Sequence, residues 1–493
     1  MSKKKHTNTI PIPKTPAEKA TFIMNILEQI EIQYTQNGIM AYVDMKGKKV
    51  EMPIDSKKFQ SVIASYYFSL CNKVAAIGMI KNCIMSFQGT KLMELEMIEQ
   101  KTRILRNKTE NALYLDKADD DYRYFKITTN GWTIEENGEK YFWRNPFQGE
   151  IPIPDKKNAN VEKIFEYCRI PVGLRRIFIA YVTSCFISTI EHPCLVLEGE
   201  KGAGKTTVSR FLKALIDPKK SDKPNANALP KDIQEIVYAY KHNYLLAFDN
   251  LESLKRNQSD FLCSVITGMD YTKRALYTNG DIYSIDLCQP VILNGISNVV
   301  TRDDLINRSI IITLEKPSND IEENDNDEEF IDAFMRDRSI ILGGIFNILS
   351  DALKNYKPNS VPNRPRMSAF YEWGYYICEA WKKGYGNKFC DEYWNLINKQ
   401  ADEGDWDSPL PHALLYLIES QRNKEWDGTI SELLEELKDI CNENNLVGIS
   451  LHPIPLSKQL KTMQKYIENQ GICVNWGKTK NNCTMVSLSL KDE

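Results

Sequence analysis

Histidine is scarce, with five among 493 residues, and none stands near another. Twelve cysteines are scattered from Cys71 to Cys483 and no two are spaced Cys-x-x-Cys. Both observations argue against a zinc site and fit small, buried apolar thiols in a reducing compartment. Net charge is also small: 63 basic against 66 acidic residues leave −3. A polycationic nucleic-acid wrapper is excluded, so any nucleic-acid contact must come from local basic patches. Long apolar runs are missing too. The nearest, Ile177 to Ile190, carries Thr183, Ser184 and Ser188 and falls short of the ~20 residues of a membrane helix. The opening Met1-Ser2-Lys3-Lys4-Lys5-His6 lacks the apolar core of a signal peptide. The expectation is a cytoplasmic protein with no membrane contact.

What is present is ordinary globular composition, 42% hydrophobic and 26% charged, over a length that suggests two to four domains. Residues 1–16 read as a flexible tail. Residues 17–150 read as an α+β N-terminal domain: a helix from Pro16 to Ile30, paired strands Gly38–Val43 and Lys49–Pro53, a helix from Ser56 to Ser69, then β-alternation from Glu94 to Trp143. Asn137-Gly138 between Trp132-Thr133-Ile134 and Tyr141-Phe142-Trp143 predicts a hairpin. Asp119-Asp120-Asp121 reads as a solvated turn rather than a metal pair. A linker follows at Phe147–Pro154, then helices Val161–Cys168 and Val172–Ile190. From Pro193 to Glu315 apolar runs alternate with helical stretches, the βα pattern of a largely parallel sheet. The acidic stretch Asn319–Glu329 reads as a solvated loop, and helices resume at Phe330–Tyr356. The core thus spans 151–357, a helical connector 358–406, and a separate small domain 407–493. No internal repeat is visible.

Cys194–Leu197 reads as a strand and Thr206–Ile216 as a helix. Between them Gly199-Glu200-Lys201-Gly202-Ala203-Gly204-Lys205-Thr206, followed by Thr207, matches the phosphate-loop pattern in full. Glycines let backbone N–H groups converge on phosphate at a helix N-terminus. Lys205 is placed to reach the terminal phosphates of ATP, and the Thr206 hydroxyl to ligate Mg²⁺. A second apolar strand, Tyr244–Phe248, ends in Asp249, the candidate to complete the Mg²⁺ shell. Asn250 follows where many such ATPases carry a second acid, so the water-activating base stays open between Asn250 and Glu252; Glu252 equally reads as an ordinary helix-start acid. A third strand, Pro290–Leu293, ends in Asn294, where a γ-phosphate sensor would sit. Arg308 stands before the fourth strand and is a candidate to reach a neighbouring subunit's nucleotide, with Arg302 second. For either arginine the plain alternative is an ion pair with Asp303 or Asp304.

Between the acid and the sensor, Thr272-Lys273-Arg274 to Ile285-Asp286 turns at Asn279-Gly280, a hairpin signal. In a ring it would project into a central channel and present Lys273 and Arg274 to single-stranded DNA; otherwise it is a sheet-edge hairpin with a solvated basic pair. Residues 407–493 read as helix Pro411–Gln421, a short strand, helices Ile430–Asn442 and Leu456–Glu468, then strands Cys473–Trp476 and Thr484–Leu488. That order is a winged helix. Lys458, Lys461 and Lys465 share one face of its third helix, and Lys478 and Lys480 stand at the wing tip. They are candidates for double-stranded DNA, the alternative being a protein-contact module with solvated lysines.

The four blocks in this order resemble the AAA+ helicases of superfamily 3, or MCM-like replicative helicases. More narrowly, they resemble the replication initiator–helicases (Rep) of mobile genetic elements such as staphylococcal pathogenicity islands and cassette chromosomes. The carriers are Phe248-Asp249-Asn250, Asn294-Gly295-Ile296 and Thr301-Arg302-Asp303-Asp304-Leu305-Ile306-Asn307-Arg308, with Ala41-Tyr42-Val43 to Tyr67 and Trp132 as looser support. The resemblance spans about residues 30–490 and is most specific over 195–312. It implies an α/β fold with an AAA+ P-loop ATPase core, an N-terminal collar, a C-terminal winged helix, and a homo-oligomer, a hexamer, with active sites between subunits. It also implies a trans role for Arg308, and a primase or polymerase supplied separately, since no primase is visible in this chain. The expectation is an ATP-dependent DNA helicase and replication initiator. The alternative is a nucleotide-gated signalling or defence ATPase that assembles without unwinding. A packaging or transposition ATPase lacks its nuclease acid cluster here, and a small-molecule kinase its lid arginines.

Overall fold

The computed structural model describes residues 12–45, 47, 49–136, 142–145, 147–220, 227–274, 282–296, 299–316, 328–403, 410–444, 449, 452–477 and 485–490. The first unit opens with a helix, Pro16–Glu28, started by a capping box in which Thr15 and Glu18 bond each other's backbone N–H. Three antiparallel strands, Glu31–Thr35, Gly38–Asp44 and Lys49–Pro53, and two helices, Lys57–Cys71 and Ile77–Glu94, close around Ile23, Leu27, Phe59, Ile63 and Phe87.

The next sheet is different in its allegiance. Strands Ile104–Asn107, Ala112–Asp116, Tyr124–Thr128 and Gly131–Glu135 form an antiparallel meander. Its apolar face (Leu113, Phe125, Ile127, Trp132) belongs to the central core, where Phe125 and Trp132 meet Phe346 edge-on at 5.5 and 5.6 Å. Residues 17–150 therefore hold two units, one with its own core and one sharing the core of the chain's middle.

Two local expectations fail here. The strand Gly131–Glu135 pairs back onto Tyr124–Thr128, and Phe142 bridges Lys101 in parallel, so Phe142 is not the hairpin partner of the Trp132 strand. Asn137-Gly138 lies outside the described residues. Asp119 is buried rather than solvated, because Arg123 Nε at 2.6 Å and Lys117 Nζ at 3.1 Å neutralise it. Asp120 and Asp121 are exposed. No cluster of three potential metal ligands occurs among the described residues.

The central sheet has four strands, all parallel, in the order Ser309–Thr313, Cys194–Glu198, Val291–Gly295, Leu246–Leu251. Strands covered on both faces read as unbroken Val/Ile/Leu runs, and Cys194–Leu197 and Val291–Leu293 are fully buried. Beyond Leu246–Leu251, Asn227 makes an isolated parallel bridge to Phe248. At the other edge, Gln400 takes the place of a strand: it accepts from Ile311 N–H at 3.0 Å and donates to the Ser309 carbonyl at 2.9 Å. Gln400 comes from Tyr385–Glu403, which with Glu328–Asn355 and Ser368–Trp381 forms the helical layer.

The helix expected at Val172–Ile190 is an α-helix only over Arg175–Ser184, preceded by a 3₁₀ turn. Phe186 and Ile187 donate to Thr183 and Ser184, closing tight turns after the helix, and Ser184 Oγ bonds back to the Tyr181 carbonyl. Val161–Glu166 is likewise 3₁₀. No described helix is long and apolar enough to cross a membrane.

The C-terminal unit has its own core of Leu414, Leu437, Leu460, Val474 and Leu488. Its order is helix Leu410–Ser420, strand Glu425–Thr429, helices Ile430–Asn444 and Pro453–Asn469, and strands Ile472–Trp476 and Met485–Leu490. The last strand lies between the other two, antiparallel to both.

Candidate nucleotide site

The phosphate loop leaves the buried strand Cys194–Glu198 and enters helix Lys205–Ile216. Gly199, Gly202 and Gly204 all hold positive φ, at 144°, 88° and 83°, where a side chain would be strained. Gly199 is doubly constrained: a Cβ there would stand 2.4 Å from the Leu314 carbonyl oxygen. Lys205 folds across the loop, donating to the Gly199 and Glu200 carbonyls at 2.6 and 2.7 Å. Burial pushes its ammonium below the ordinary lysine value, and Asp249 nearby opposes that shift.

At the mouth of the loop the Thr206 hydroxyl donates to Asp249 Oδ1 at 2.9 Å. The geometry thus brings together the two oxygen donors marked in the sequence, one from the start of the loop helix and one from strand Leu246–Leu251. Asn250 sits at φ +58°, the left-handed region that asparagine enters more readily than glutamate. That backbone demand is a physical reason for an amide at this position. Its N–H donates to Asn294 Oδ1 at 2.9 Å, and Asn294 Nδ2 donates to Ser209 Oγ at 2.9 Å. Asn294, 1% exposed, therefore braces three segments: the acid-bearing strand, its own strand and the loop helix. Glu252 is exposed.

Arg308 is folded back within the protomer. It is 8% exposed, its Nη1 donates to the Asp304 carbonyl at 2.6 Å, and it pairs with the Asp304 carboxylate. Arg366 shares that carboxylate at 3.1 Å. Arg302, more exposed, pairs with Asp260 at 3.0 Å and not with Asp303 or Asp304.

The hairpin Met269–Arg274 and Ile282–Leu287 is antiparallel, with Lys273 opposite Tyr283 and Arg274 opposite Ile282. The side chains of Lys273 and Arg274 and the Asn279-Gly280 turn lie outside the described part of the chain, as do Lys478, Lys480 and the side chains of Lys458 and Lys465. Lys461 is exposed, its ammonium 4.9 Å from the centre of the Trp476 ring.

The Asp304 ion pair is the plain alternative already weighed for Arg308, whereas sequence reasoning missed Ser209, Arg366 and Gln400. Only Ser209 carries a local signal, one turn beyond Thr206 on the same helix. It also missed a cavity of about 1250 Å³ beside the loop, lined by Pro171, Leu174, Gly199, Glu200, Lys316 and Leu396 among others. One wall comes from the helical layer, far along the chain.

The family model of the actinomycete integrative conjugative element replication protein matches residues 168–383, a stretch that contains the phosphate loop, Asp249, Asn294 and Arg308. No curated protein matches the chain. Among solved structures, one described as SCCmec type IV Cch, an active helicase, aligns with a TM-score of 0.49 at 10% identity, covering 94% of this chain and 93% of that one. The apo C-terminal region of NrS-1 aligns at 0.42 and 10% identity, covering 95% and 98%. Cdc6p from Pyrobaculum aerophilum aligns at 0.17 and 13% identity, covering 67% and 94%. These are distant likenesses, and the functional reading rests instead on the site geometry and the family match.

Proposed function

We propose that this chain is an AAA+ ATPase that drives DNA unwinding and initiates replication of a mobile genetic element. The observation that carries the reading is the Thr206–Asp249 contact at the mouth of a glycine loop that opens a helix. That oxygen-only donor pair suits Mg²⁺, and a helix N-terminus beside a lysine suits a polyphosphate. Mg²⁺ held there would supply charge neutralisation at the phosphates. The chain's own part is positional. Lys205 exchanges its carbonyl partners for phosphate oxygens. Asn294 couples the Asn250 backbone to Ser209, so a shift at the acid-bearing strand is felt on the loop helix.

In a ring, taken here as a hexamer, Arg308 serves the neighbour's nucleotide. It must first leave Asp304, which then keeps Arg366 as its counter-charge. Arg302 is the second candidate. The match to a replication-protein family over 168–383 supports DNA as the partner. Lys273 and Arg274 would follow single-stranded DNA in the channel. The C-terminal unit, read as a winged helix, would meet duplex DNA through Lys458, Lys461, Lys465, Lys478 and Lys480. Priming would come from a separate primase or polymerase.

ATP hydrolysis by the full chain is expected to rise several-fold with single-stranded DNA. Arg308→Ala and Lys205→Ala proteins, each inactive alone, are expected to regain part of the turnover when mixed, because one supplies an intact loop and the other an intact arginine. Turnover indifferent to DNA would move the reading to a nucleotide-gated switch, and mixtures as inactive as their components would remove the shared site.

A further inference from the structure

Strand Ser309–Thr313 runs beside the loop strand with Thr313 opposite Glu198. Just beyond it, Leu314 N–H donates to the Glu198 carbonyl at 2.7 Å. The Leu314 carbonyl lies against the bare Cα of Gly199, where any Cβ would be 2.4 Å away. The backbone leading to Lys316 is thereby fixed to the phosphate loop itself. Two residues on, the Lys316 stem passes over the loop tip, its Cε 3.8 Å from where a Cβ on Gly202 would stand. Lys316 also lines the cavity that Gly199 and Glu200 line. It is exposed, and among the described residues no hydrogen bond or ion pair holds its ammonium. Glu198, on the loop strand, accepts the Val299 N–H on Oε1 at 2.9 Å.

We infer that Lys316 is a second cation for the bound nucleotide, acting in the same protomer as Lys205 and contacting the phosphate chain of a nucleoside di- or triphosphate from above Gly202. This rests on the reading of the loop as a nucleotide site. An ammonium on a flexible stem carries three donors and a compact charge, which suits clustered phosphate oxygens rather than a base. Unlike Arg308, Lys316 needs no neighbouring subunit, so its effect belongs to nucleotide binding by dilute, unassembled protein.

The test is equilibrium binding of fluorescent ATP, ADP and AMP analogues to the full chain and to Lys316→Ala, Lys316→Arg and Lys205→Ala proteins, with circular dichroism as a check on folding. Lys316→Ala is expected to weaken ATP and ADP about tenfold, the size of one lost charge-assisted contact at an exposed site. AMP binding is expected to change by less than about twofold, and Lys316→Arg to recover most of the loss. Unchanged ATP affinity in a folded Lys316→Ala protein, with Lys205→Ala still defective, would overturn the inference and leave the nucleotide site standing. Absence of ATP and ADP binding in the wild type would remove the nucleotide reading itself, and the inference with it.

Discussion

On the proposed function, Lys205→Ala is expected to lower ATP turnover by at least about 10²–10³-fold, the usual consequence of deleting a preorganised donor from a transferring phosphoryl group. The fold survives the change. Lys205 is only half-buried, and its present partners, the Gly199 and Glu200 carbonyls, sit at the rim of the loop where water can replace it. Steady-state hydrolysis and a thermal melt on the same preparation separate the two effects. Loss of activity accompanied by a collapsed melting transition would mean that Lys205 is structural, and unchanged hydrolysis would mean that the loop is not the site.

Arg103→Ala is the second large effect, on stability rather than turnover. Arg103 is fully buried, at φ +65°. It donates to Asp217 Oδ1 at 3.1 Å and to the carbonyls of Asp116, Gly149 and Pro218 at 3.2, 3.0 and 3.1 Å. Asp217 in turn receives Lys213 Nζ at 2.6 Å and the Tyr244 N–H at 2.9 Å. The network ties the 104–135 sheet to the C-terminal end of the phosphate-loop helix. Breaking a buried pair by deleting one partner costs about 3–5 kcal/mol, read as a large drop in the unfolding midpoint of the central unit.

The pH dependence follows from Asp217. Burial alone would raise its carboxyl, but Lys213 and Arg103 override that and hold it at about 2, below the ordinary 3.8. A depressed carboxylate contributes stability above its unfolded value, and that contribution is lost as pH falls from 3.8 towards about 2. Wild-type midpoints should therefore fall through that window. Asp217→Asn should be less stable at neutral pH and show a flatter acid limb. Equal stability of Arg103→Ala and wild type across the range would show that the cluster carries no net energy.

The parts of the site legible in the sequence are those written in local spacing. Gly199 to Thr206 announce both a loop and its helix because the glycines and the lysine must be adjacent in the chain. Strands buried on both faces announce themselves as apolar runs, and so Asp249 and Asn294 could be placed at strand ends. What escaped is carried by residues distant in sequence. Gln400 completes a sheet edge more than eighty residues away, and Arg103 reaches Asp217 across 114 positions. Neither an isolated glutamine in a polar helix nor an arginine before a strand signals such a partner. Helix Ile77–Glu94 escaped for another reason. Its buried Ile80, Cys83, Ile84 and Phe87 do repeat at helical spacing, but the exposed Ile77, Met85, Leu92 and Met93 spread apolar residues around the other faces and blur the stripe. The Asn137-Gly138 signal misled because turn chemistry names a turn and leaves the pairing of the chain beyond it to tertiary contacts.

Strand displacement from a forked DNA duplex by the full chain, followed with ATP, without ATP and with the Lys205→Ala protein, tests the central claim most directly. The expected result is ATP-dependent release of the displaced strand by the wild type alone. Nucleotide hydrolysis without displacement on forks of either polarity would contradict it.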